Sequence, residues 1–155
     1  MSDGIVLALR VTIVLLFLLA LWKGAGPEKI AMGTMFAMLV LDLLYHSILP
    51  GGRNYSSIDL GHFVQDLIGL SGFVFLTLRA DRLYPICMLG AQIFVMVSHL
   101  DRELVTAIPD LVYAWLIRLP SYLQVAAAAT GLFLHIRRTM RVGPYRSWRN
   151  SFAQS

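Results

Sequence analysis

Residues 30–49 read IAMGTMFAMLVLDLLYHSIL, an apolar run whose last turns carry Asp42 and His46, an acid and an imidazole one helical turn apart. A helix rising about 1.5 Å per residue needs roughly 20 apolar residues to cross about 30 Å of hydrocarbon. The run has that length, and Pro50, Gly51 and Gly52 stop it. Further apolar runs lie at 4–22, 60–78, 83–100 and 119–136, with polar turns such as RADR (79–82) between them. The expectation is an all-α, polytopic membrane helix bundle with five spans in a single transmembrane domain over 1–155.

Composition points the same way. Of 155 residues, 57% are hydrophobic and 14% charged, with a mean hydropathy of +0.69. Soluble domains average about 45–50% apolar and about 25% charged residues. Cys87 is the only cysteine, so the chain has neither an intrachain disulfide nor a CxxC metal or redox motif. The first run continues to Trp22 with no small-residue cleavage site, and Lys23 and Lys29 follow it. It reads as a retained span rather than a signal peptide.

Orientation follows from the basic residues. Five spans put Lys23, Lys29, Arg79, Arg82, Arg137, Arg138, Arg141, Arg146 and Arg149 on one side and Arg53, Arg102 and Arg118 on the other, with Arg10 inside the first span. By the positive-inside rule the C-terminal tail, 137–155, is cytoplasmic and the N-terminus periplasmic, in a bacterial inner membrane. In the tail, HIRRTMRVGPYRSWRN (135–150), Tyr145 and Trp148 are interleaved with arginines. That pattern suits an anchor at anionic headgroups better than a nucleic-acid site, so membrane lipids are the expected partner and nucleic acid is not.

DRELVTAIPDLVYAWLIR, 101–118, carries Leu104, Ile108, Leu111 and Trp115 on one stripe and Glu103, Thr106 and Asp110 on the other side. This predicts an amphipathic helix over about 103–118 lying in the interface.

The polar intramembrane residues share inward faces when set out at 100° per residue. Thr34, Met38, Asp42, Tyr45 and His46 form one stripe in the second span. Asp59, His62, Asp66, Gly69 and Phe73 do so in the third, Met88, Gln92 and His99 in the fourth, and Ser121, Gln124, Ala128, Gly131 and His135 in the fifth. His46, His62 and His99 fall at one level near the outer boundary, Asp42 and Asp66 a turn deeper, and Arg10 at a similar depth. A lone charge there costs about 2.5–3.5 kcal/mol even on insertion scales, so Arg10, Asp42, Asp66 and Gln92 are expected to pair as a structural cluster with the histidines.

Three further uses of these groups stay open. His46, His62, His99, Asp42 and Asp66 are metal-ligand types, spaced D-x3-H and H-x3-D. Two histidines on different spans, His46 and His99, could ligate a b-type haem. A proton or ion path would need polar groups through the full thickness, and the inner half offers mainly Thr34, Ser71, Thr77 and Thr130. HExxH, G-x-S-x-G and Walker motifs are absent, and no catalytic residue is nominated.

The segments DLGHFVQDL, LRADRLYP, QIFVMVSHL and LPSYLQ resemble a group of small uncharacterised bacterial inner-membrane proteins over about residues 28–138. The resemblance implies a polytopic helical membrane protein and carries no activity. The functional expectation is a non-enzymatic accessory or interacting component, assembled with itself or with a larger membrane complex. A metal- or haem-binding membrane protein, with redox activity left open, is the alternative.

Overall fold

The computed structural model describes residues 3–48, 60–104 and 109–148. They form five helices, α1 (Asp3–Lys23), α2 (Gly26–Ile48), α3 (Leu60–Arg79), α4 (Tyr84–Leu104) and α5 (Asp110–Val142), with no strand among the described residues. α1, α2, α3 and the part of α5 from Trp115 to Val142 are long and apolar enough to cross a membrane. The apolar stretch Tyr84–His99 of α4 is shorter than these. The composition and four spanning-length helices mark a membrane protein.

Each helix runs antiparallel to the next, as the pairs of residues in contact show. Phe17 stacks on Phe36 at 4.5 Å between ring centroids, while Arg10 reaches Asp42. Along α2 and α3, Gly72 faces Thr34 and Gly69 faces Met38 closely enough that a Cβ on either glycine would collide. Thr77 Oγ1 donates to the Pro85 carbonyl at 3.1 Å near one end of α3 and α4; His99 meets Asp66 toward the other. Gln124 and Gly131 of α5 meet Met88 and Tyr84 of α4. α5 also touches α1 and α2, which closes the bundle.

Burial is arranged for an apolar solvent. The core holds Met32, Phe73, Leu76, Met88 and Leu132, while Leu7, Leu15, Trp22, Leu123 and Phe133 are exposed outward. A contiguous apolar surface of this kind marks a lipid or partner interface. Antiparallel packing gathers Lys23, Lys29, Arg79, Arg82, Arg137, Arg138 and Arg141 at one end.

Several boundaries differ from the sequence expectation; the last span, expected to end at 136, runs as helix to Val142. α2 begins at Gly26 rather than near 30. Pro27 supplies a fixed φ for a first turn that needs no N–H, and Glu28 suits the positive end of the helix dipole. The separate interfacial helix over 103–118 is not found. Residues 103–104 end α4, 110–118 open α5, and 105–108 lie outside the described residues. Pro120 sits buried within α5 and does not break it. A proline in a membrane helix is tolerated where neighbouring groups satisfy the carbonyl it leaves free. At about 1.5 Å per residue α5 is about 50 Å long, so it outreaches the hydrocarbon.

α5 continues to Val142 and ends on Gly143, whose φ of 77° is left-handed and whose N–H bonds the Thr139 carbonyl at 2.9 Å. This helix cap turns the chain back across the basic end. There Trp148 pairs with Ala80 in a single antiparallel bridge, and the Asp81 N–H reaches the Ser147 carbonyl at 3.3 Å. The Trp148 indole lies against Gly26.

Candidate functional site: a polar seam across the helices

The inward stripes meet as hydrogen-bonded groups at successive helix interfaces. Between α1 and α2, Arg10 Nη2 donates to Asp42 Oδ2 at 2.9 Å. Between α2 and α3, His62 Nε2 lies 3.3 Å from Asp42 Oδ1, and Gln65 Nε2 donates to the Met38 carbonyl at 2.6 Å. His46, one turn beyond Asp42, brings its Nε2 to 3.4 Å from the same Oδ1. The His46 and His62 rings stand 5.1 Å apart, and Tyr45 meets both edge-on.

Asp66, one turn further along α3 than His62, serves the next interface. Its Oδ1 accepts from Gln92 Nε2 at 2.9 Å, and its Oδ2 lies 3.0 Å from His99 Nε2. Gln92 Nε2 also reaches the Asp66 carbonyl at 3.1 Å. Gln92 then accepts from Gln124 Nε2 at 2.7 Å, which joins α4 to α5. Gln92, His99 and Gln124 are buried. Phe63 closes over His99 edge-on with 5.9 Å between ring centroids.

The structure therefore divides the candidate residues into two groups. Asp42, His46 and His62 bring three ligand-type atoms within 4.8 Å of one another. Asp66 and His99 form a separate pair with Gln92. His46 and His99, the residues considered for haem, turn Nε2 toward different carboxylates, Asp42 and Asp66, with α3 packed against both of their helices. Asp59 lies outside the described residues.

Sequence reasoning left out a second polar group at the basic end. Glu28 is 1% exposed. Its Oε2 accepts the Ala25 N–H at 3.2 Å, and its Oε1 lies 3.5 Å from Arg82 Nε. The Arg82 and Arg138 guanidinium groups lie over the Tyr145 ring, 4.8 and 4.1 Å from its centroid. Tyr145 Oη pairs with His135 Nδ1 at 2.9 Å. The polar content at the basic end thus exceeds the few hydroxyls expected there. The missed signal was the GPE at 26–28, a helix start that carries Glu28 into the bundle. No protein-family model, characterised protein or solved structure matches this chain.

Proposed function

We propose that the protein is a five-span component of a bacterial inner membrane, with its N-terminus periplasmic and its C-terminus cytoplasmic. In this reading it works without catalysis, by packing against copies of itself or within a larger membrane complex. The observation that carries the reading is the seam. Each of the four successive helix interfaces has a polar bridge, and the oxygens of Asp42 and Asp66 face partners on neighbouring helices. Interhelical bonds of this kind fix which helices meet, at about 0.6 kcal/mol each on average in membranes.

Two observations support the topology. α4 runs beside α3 from Pro85 to His99, fourteen residues or about 21 Å by the helical rise, and this supports counting it as the fifth span. The basic cluster at one end of the bundle supports placing that end in the cytoplasm. The outward apolar faces offer a surface for lipid or for a partner helix.

The test is assembly state. Tagged protein extracted in a mild detergent and run on native gels should migrate as a discrete species larger than the monomer, and cross-linking in intact membranes should trap the same neighbour. A monomer under every mild condition, with no cross-linked product, would refute the accessory reading.

A further inference from the structure

At the Asp42 corner the seam leaves one atom unused. Nε2 of His46 is buried and has no hydrogen-bond partner among the described residues. Its 3.4 Å separation from Asp42 Oδ1, and the 3.3 Å separation of His62 Nε2 from the same oxygen, exceed the roughly 2.7–2.9 Å of a charge-assisted N–H to carboxylate bond. They equal the edge of a tetrahedron around zinc, about 3.3–3.4 Å when the metal-ligand bonds are about 2.0–2.1 Å.

We propose that Asp42 Oδ1, His46 Nε2 and His62 Nε2 bind one Zn²⁺, with the fourth position open to water. The three donors already lie within 4.8 Å of one another. In that tetrahedron the two imidazole nitrogens must also stand about 3.3–3.4 Å apart, so closure from within 4.8 Å needs a shift of at most about 1.5 Å. His46 and His62 can supply it by rotating about χ, since both side chains are about one quarter exposed. The ligands come from the last turns of α2 and the first turn of α3, two helix ends already held together by the packing beneath them.

Arg10 fits this arrangement as an orienting partner. It bonds Oδ2 and leaves Oδ1 directed at the imidazoles, the role that outer-shell hydrogen bonds play for metal-binding carboxylates. Zn²⁺ and Arg10 against one carboxylate leave excess positive charge. The partial exposure of this corner admits hydroxide or another anion as the fourth ligand. The Asp66 pair lacks these features, because it offers a single imidazole and the Gln92 amide holds its Oδ1. Zinc binding goes beyond the accessory reading and does not depend on it.

The experiment uses full-length protein in detergent, carrying a tag without histidine, stripped with chelator, exposed to Zn²⁺ and desalted. Elemental analysis should find stoichiometric zinc in the wild type. His46→Gln, His62→Gln and Asp42→Asn should lose it, whereas His99→Gln and His135→Gln should keep it. Co²⁺ added to the stripped wild type should give the intense visible bands of a four-coordinate ion, a readout that stands even if a variant fails to fold. No retained zinc with six-coordinate cobalt in the wild type, or zinc undiminished in folded His46→Gln and His62→Gln, would overturn the proposal. Zinc loss or retention leaves the native-gel result untouched, so the two readings fail separately.

Discussion

Replacing Asp66 by alanine should destabilise the bundle by about 3 kcal/mol, and the geometry says where that comes from. The change removes the Oδ2 contact with His99 at 3.0 Å and the Oδ1 contact with Gln92 at 2.9 Å. Both partners are at most 2% exposed, so bulk water does not replace the carboxylate. Gln92 keeps the Asp66 backbone carbonyl at 3.1 Å, so its share sits near the membrane average of about 0.6 kcal/mol. His99 loses its carboxyl partner in a buried setting, where removing one partner of a hydrogen bond costs about 1–3 kcal/mol. The cost of inserting a carboxylate in lipid does not enter, because the unfolded reference is the separated but inserted helices. The assay is reversible unfolding in mixed micelles of rising denaturing-detergent fraction, followed by circular dichroism or tryptophan emission. Asp66→Asn, which keeps an oxygen for Gln92, should fall between wild type and alanine. The Asp66→Ala, His99→Ala double variant should cost less than the sum of the two single changes. A loss below about 1 kcal/mol for Asp66→Ala, or strict additivity in the double variant, would refute the claim that this carboxylate couples α3 to α4.

Asp42→Ala should lower accumulation of the protein in the membrane more than the Arg10→Ala, Asp42→Ala pair does, because the single change strands a guanidinium about one third exposed within the first span; immunoblots of membrane fractions read this, and equal levels would count against the pairing. Gly72→Val should weaken the α2–α3 contact by about 1–3 kcal/mol, since its side chain would enter the space of Thr34, as the same unfolding assay would show. Reporter fusions after Arg141 and within 50–57 should report opposite compartments, cytoplasmic and periplasmic; the same compartment at both would remove α3, α4 or α5 from the spanning set.

Much of the helical order is legible in the sequence because apolar runs bounded by glycine, proline and charge have one economical reading in lipid. The inward faces of Asp42, Asp66, Gln92 and Gln124 follow from the 3.6-residue period alone. Partner choice is less legible. Periodicity shows that Asp66 faces inward, but choosing His99 and Gln92 over His46 as its neighbours requires the helix order and vertical offset. Glu28 was passed over because a charged residue beside Lys29 reads as loop, although Pro27 ahead of it marks a first turn. The 101–118 segment misleads for a different reason: its amphipathic stripe reads as one short helix, whereas its described ends belong to two long ones, α4 and α5.

The spacing of the seam along the chain also governs how the protein is made. Arg10 enters the membrane with α1, and its carboxylate follows 32 residues later. At about 5–20 residues per second, that is a wait of about 2–6 s during synthesis. Asp66 waits 26 residues for Gln92 and 33 for His99, and Gln92 waits 32 for Gln124. α1, α3 and α4 therefore each leave the insertion machinery with a polar group whose partner lies on the next helix. A nascent span in that condition should linger beside the channel until its successor arrives, so helices would leave in pairs, and a ribosome stalled between Arg10 and Asp42 should leave α1 cross-linkable to the machinery rather than to lipid.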